Sequence, residues 1–104
     1  MMASPTLIAD LPTEAASRLD YLNTQAWELK SRDARKAEGL ADEAVALAGA
    51  LQDKAGLAEA LLARGYARFK LSQLSEAKED AEAARELFEV LKNSPQLLET
   101  LNLL

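Results

Sequence analysis

Residues 37–51 read AEGLADEAVALAGAL, and residues 77–91 read AKEDAEAARELFEVL. At an offset of 40 the two stretches match at Ala37 and Ala77, Ala41 and Ala81, Ala44 and Ala84, Leu47 and Leu87, and Leu51 and Leu91. The matched positions recur every three or four residues, the spacing of one stripe along an α-helix. One helix is therefore written twice. Its stripe is mostly alanine.

The segments ahead of each copy also align, now at an offset of 39. Leu22 falls on Leu61, Ala26 on Gly65 and Trp27 on Tyr66. Leu19, Leu22, Ala26 and Leu29 form one helical stripe, and Leu57, Leu61, Gly65 and Phe69 form the next. The one-residue difference in offset lies in the intervening turn. Beyond the second copy, Leu97, Leu98 and Leu101 continue the series from Leu57, Ala58 and Leu61. The spacing predicts helices over 12–31, 33–51, 54–71, 75–92 and 95–104, with 1–11 as a lead-in tail and 12–104 as one helical repeat domain. Asp33, Asp53, Ser75 and Ser94 stand where N-caps belong, Pro12 and Pro95 suit first turns, and Asn93 can close the fourth helix. Connections this short make consecutive helices antiparallel. The expected fold is all-α: two helical hairpins and half of a third.

Composition agrees with that reading and narrows the chemistry. Ala and Leu supply 21 and 20 of the 104 residues, Val and Ile together only 3. Ala and Leu enter helices at little cost, whereas strands favour β-branched residues, so all-β and α/β folds are nearly excluded. There is no Cys and no His. Disulfides, thiolate nucleophiles and zinc thiolate sites are ruled out, and so are the commonest general base and metal ligand. A formal charge of −5 argues against a nucleic-acid partner. No apolar run approaches the ~20 residues of a membrane span, and no signal-peptide pattern opens the chain, so the expected location is the cytoplasm. The carboxylates at Asp42–Glu43, Glu79–Asp80, Glu82, Glu86 and Glu89 read as a solvated outer face moderated by Lys78 and Arg85. Asp20 and Glu28 read as solubility. Gly39, Gly49, Gly56 and Gly65 are isolated and make no phosphate loop. Gly56 is expected to ease the start of the third helix, and Gly65 to serve packing. No metal site, cofactor or enzyme activity is expected.

Taken together, these residues resemble the tetratricopeptide repeat family. Gly65 and Ala26 match that family's small mid-helix residue. Ala37, Ala41 and Ala44, and again Ala77, Ala81 and Ala84, match the small residues of its second helix. The turn at 71–77, LSQLSEA, is similar to its inter-helix turn. The resemblance covers about residues 19–104 and implies a stacked α-α superhelix of about two and a half repeats. Two features depart from the pattern: a period of 39–40 where the family has about 34, and Asp53-Lys54 where a proline usually follows the second helix. HEAT-like repeats fit the period but not the alanine triads. The segment 22–29, LNTQAWEL, resembles the amino-terminal repeat regions of bacterial signalling proteins such as diguanylate cyclases and sensor kinases.

In stacked helical repeats the first helix of each pair lines the concave side. That places Trp27 and Tyr66 toward a groove, or equally in the inter-helix core, with Asn23, Lys30, Leu62, Phe69 and Lys70 around them. Phe69 and Phe88 read more as core. Aromatic side chains in a groove anchor peptides. Trp27 and Tyr66 occupy the positions where some family members carry the asparagine that grips a peptide's terminal carboxylate, so an apolar or aromatic partner is expected rather than a free acidic tail. Leu97, Leu98, Leu101 and Leu104 spread around the last helix and are expected to drive a homodimer. The expected function is a non-catalytic protein–protein interaction scaffold. The alternative is a regulatory or sensory dimerisation module from the N-terminus of a signalling enzyme.

Overall fold

The computed structural model describes the backbone of residues 3–92, 100 and 103, and the side chains of 14–92, 100 and 103. Among the described residues there are four helices: α1 (Ala3–Leu29), α2 (Ala34–Leu51), α3 (Lys54–Lys70) and α4 (Leu74–Leu91). The expected fifth helix, with its cap Ser94 and the leucines Leu97, Leu98, Leu101 and Leu104, lies outside the described residues apart from Thr100 and Leu103.

Helix α1 begins at Ala3, not at Pro12, so most of the expected lead-in is helical. Pro5 falls in the first turn, where a missing N–H breaks no helical bond, and this permits the early start. Helix α2 is capped by Asp33, which accepts from the Lys36 N–H, and α3 by Asp53, which accepts from the Gly56 N–H. Helix α4 is not capped by Ser75. The chain turns at Ser72 (φ 65), the Gln73 N–H returns to the Arg68 carbonyl at 2.8 Å, and Gln73 becomes the N-cap. That turn brings the backbone round two residues early and leaves Ser75 inside the helix.

The repeat seen in the sequence extends to the helix ends. Helices α2 and α4 each run 18 residues, at an offset of 40. Their C-caps, Gln52 (φ 55) and Lys92 (φ 56), are both left-handed and both return the backbone N–H to the last turn. Burial repeats as well: Ala37, Ala41, Ala44 and Ala48 are buried on α2, and Ala77, Ala81, Ala84 and Phe88 on α4.

Side-chain contacts fix the helix directions. Leu19 and Leu22 pack with Ala44 and Ala48, while Ala26 packs with Ala41, so α1 and α2 run antiparallel. Glu38 meets Arg68 and Asp42 meets Arg64, which makes α2 and α3 antiparallel. Ala58, Leu61 and Leu62 pack with Ala84 and Phe88, while Arg64 meets Asp80, so α3 and α4 are antiparallel too. Helix α3 therefore lies parallel to α1, and it touches α1 directly: Gly56 abuts Leu19 at one end and Ala63 meets Ala26 at the other.

Gly56 is buried, and Leu19 fills the space that a Cβ would need. It is a packing residue at the α1–α3 contact, a larger role than the expected easing of the helix start. Gly65 sits at the α3–α4 contact, facing the Ala77 carbonyl, the Asp80 Cβ and Leu103.

A second tie joins α2, α3 and α4. Arg64 donates from Nε and NH2 to the two oxygens of Asp80, at 2.9 and 2.8 Å, and from NH1 to Asp42 at 2.8 Å. Arg68 donates to Glu38 at 2.9 Å and to Asp80 at 3.1 Å. Asp80 is 4 % exposed. The expectation that Asp80 belonged to a solvated face is corrected here. Two guanidinium groups supply the hydrogen bonds that a buried carboxylate requires. The same bonds hold the Arg64 pKa above its ordinary value, against the opposing effect of burial.

Candidate functional site

The parallel α1–α3 pair brings equivalent residues of the repeat side by side. Trp27 and Tyr66 form an edge-to-face pair, ring centroids 5.5 Å apart and planes at 88°. Both are half-buried. Both pack against the core cluster that holds Leu62 and Phe88, and Trp27 also against that of Ala26, Ala41 and Ala63.

Lys30, one residue past the end of α1, closes this corner. Its Nζ lies 3.8 Å from the centroid of the Trp27 ring and 5.6 Å from that of Tyr66. It also donates to the Trp27 carbonyl at 3.2 Å. Two aromatic rings and a carbonyl of the last helical turn, which also accepts from the Lys30 N–H, act on one ammonium group.

Asn23 and Leu62, also expected around a groove, are both buried. Asn23 is 8 % exposed and its Nδ2 donates to the Gly56 carbonyl at 3.2 Å, while its Oδ1 has no partner. Leu62 is buried in the core. Lys70 is exposed. Phe88 is fully buried, whereas Phe69 is 53 % exposed and belongs to a different surface. With Leu74, Ala77, Lys78, Ala81 and Leu103 it lines an open groove of about 230 Å³ between α3 and α4.

The α1–α3 face also carries charge. Asp20 lies seven residues before Trp27, and Glu59 seven before Tyr66. Seven residues are two helical turns, so each carboxylate stands on the same face as its aromatic, about 10 Å along the axis. Partial burial and then the neighbouring charges of Asp20 and Asp53 push the Glu59 pKa above its ordinary 4.5. Asp20 reads as solubility in the sequence and Glu59 carries no reading there, although the offset of 39 that pairs Trp27 with Tyr66 also pairs these two. Among the described residues no group of three carboxylates is arranged to hold a metal ion, and no helix is long and apolar enough to cross a membrane.

Comparison with protein-family models, with characterised proteins and with solved structures gives no match for this chain.

Proposed function

We propose that this chain is a non-catalytic helical-repeat module of the tetratricopeptide kind, which binds a peptide or protein partner on the α1–α3 face. The observation that carries the reading is the contact between Trp27 and Tyr66. Repeat-equivalent residues of two parallel helices meet, and both are half-buried. Parallel first helices with antiparallel second helices between them are the arrangement that stacked hairpins produce, and aromatic side chains on their shared face are natural anchors. Panning a random peptide library against the chain tests this, with Trp27→Ala and Tyr66→Ala as counter-targets. Enriched peptides should hold the parent and lose the variants while the variants keep their helical dichroism. Peptides that hold all three equally would end the reading.

A second reading, a self-associating input module of a longer signalling protein, is favoured by the Phe69–Leu74 groove. The first-unit counterparts of these two residues, Lys30 and Ala34, are half-buried, whereas Phe69 and Leu74 are 53 % and 59 % exposed. An apolar surface where the equivalent polar and small one is covered suits a second copy. Sedimentation equilibrium of the parent and of Leu74→Glu separates the cases. A clean 11.3 kDa monomer at high micromolar concentration removes this reading.

A further inference from the structure

We infer that the Trp27–Tyr66 corner is a binding site for an organic cation, held closed by Lys30, and that its ligand is a basic side chain of the partner peptide. This rests on the peptide-binding reading above and specifies its chemistry. Two aromatic planes at 88° form two walls of a cage, and an ammonium already occupies it, 3.8 Å from one ring centroid and 5.6 Å from the other. Ring faces attract cations, and such cages are a recurrent means of recognising ammonium groups. The occupant is tethered by a flexible side chain on a turn residue. A ligand cation can therefore replace it with little rearrangement of the helices.

The rest of the face matches such a ligand. Asp20 and Glu59 stand two turns, about 10 Å, from the aromatic pair. Asp53 lies close enough to Glu59 to act on its charge. A polyproline II chain rises about 3.1 Å per residue with three residues per turn, so two lysines three residues apart point the same way and lie about 9 Å apart. One would enter the aromatic corner and the other would meet the carboxylates. The chain's net charge of −5 draws such a peptide in. The face is thus aromatic at one end and anionic at the other, and it selects a dibasic segment.

Trp27 is the chain's single tryptophan, so its fluorescence reports on this corner alone. The probes are the capped peptide Gly-Lys-Gly-Ser-Lys-Gly, the same peptide with both lysines replaced by glutamine, and choline. The dibasic peptide should give a saturable change and the glutamine peptide none. Lys30→Gln removes the internal competitor and should tighten the dibasic peptide by about five-fold or more. Lys70→Gln makes the same charge change at an exposed lysine without a ring contact and should tighten it far less. Asp20→Asn/Glu59→Gln should weaken the dibasic peptide and leave choline unchanged.

Equal tightening by Lys30→Gln and Lys70→Gln would mean that net charge alone acts, and would overturn the proposal. So would tight binding of choline with indifference of the peptide to Asp20 and Glu59, which would assign the corner to a small quaternary ammonium compound. Failure here is separable from failure of the peptide-binding reading. Library peptides that need Trp27 but carry no basic residue would preserve that reading and remove this one.

Discussion

Arg64 and Asp80, on adjacent antiparallel helices, face each other as a two-pronged pair, Nε to Oδ2 at 2.9 Å and NH2 to Oδ1 at 2.8 Å. The Asp80 side chain is 5 % exposed and the Arg64 side chain 17 %. Removing one member of a buried pair strands the other's charge. Asp80→Ala takes a shared partner from two arginines and leaves their other N–H groups short of acceptors, Arg64 keeping Asp42 and Arg68 keeping Glu38. The arginines keep some water, so the expected loss is about 2–4 kcal/mol. The contrast is Arg18–Glu43, 3.3 Å apart with both side chains more than half exposed. Arg18→Ala should cost no more than about 0.5 kcal/mol. Urea unfolding of both variants checks the pair. An Asp80→Ala chain as stable as Arg18→Ala would mean that the network does not bind α3 to α4.

The four glycines divide by what surrounds them. A Cβ at Gly39 or Gly49 would meet nothing within 4 Å. Alanine at either should therefore raise stability by about 0.5–1 kcal/mol through helix propensity alone. A Cβ at Gly56 would lie 2.6 Å from Leu19 Cδ2, and Leu19 is 1 % exposed. Gly56→Ala should cost about 1–3 kcal/mol, since α1 must shift. Gly65 is intermediate. Its nearest neighbour would be the Leu103 side-chain tip at 3.1 Å, and Leu103 is half-buried and can give way. Gly65→Ala should be close to neutral, while Gly65→Leu should lose about 1–3 kcal/mol against the Ala77 carbonyl and Asp80. Thermal unfolding of the five single variants gives the order, and a tolerated Gly65→Leu would contradict the α3–α4 packing.

The repeat was legible because it is local. An offset of 40 between alanine stripes survives any uncertainty about where helices lie in space, and it carried over to caps at Gln52 and Lys92. The buried carboxylate was not, since burial of Asp80 is set by arginines 12 and 16 residues earlier on another helix. A signal did exist: Asp80 sits on the stripe of Ala77, Ala81 and Ala84, and Arg64 and Arg68 are one turn apart. At the candidate site, the pairing of Trp27 with Tyr66 could be read from the sequence. The position of Lys30 over both rings could not, because it depends on how the turn after Leu29 leaves the helix.

Glu59 supplies a pH dependence with a definite sign. Partial burial, then Asp20 and Asp53, raise its pKa in the folded chain above 4.5. The folded state therefore binds more protons than the unfolded one just above that value, and stability falls as pH rises through this window. Glu59→Gln removes the penalty. The variant should be more stable than the parent at neutral pH, by a small amount because much of the Glu59 surface still meets water and is screened. The advantage should vanish once the medium is below 4.5, where Glu59 is protonated in both states. Urea unfolding across that range measures it. A variant less stable than the parent at neutral pH would mean that Glu59 has a favourable partner.

Asn23 and Leu62 occupy repeat-equivalent positions, and both are buried, yet only one is polar. The Asn23 Nδ2 is satisfied by the Gly56 carbonyl, while Oδ1 is buried without a partner. A buried unsatisfied acceptor costs about 1–3 kcal/mol, and a net hydrogen bond returns about 1 kcal/mol. Gly56 lies inside the first turn of α3, so its carbonyl also accepts the helical bond from Ala60 and is not stranded if the amide leaves. Leucine has the branching of asparagine at Cγ and brings only apolar atoms. Asn23→Leu should therefore stabilise the chain by about 1 kcal/mol. Asn23→Ala, which removes the same polar atoms but opens a void, should destabilise it by about the same amount. Denaturant midpoints of the two variants on either side of the parent would meet this prediction. Two midpoints below it would show that Oδ1 has a structural water in solution, and that the α1–α3 contact depends on that water's bonds.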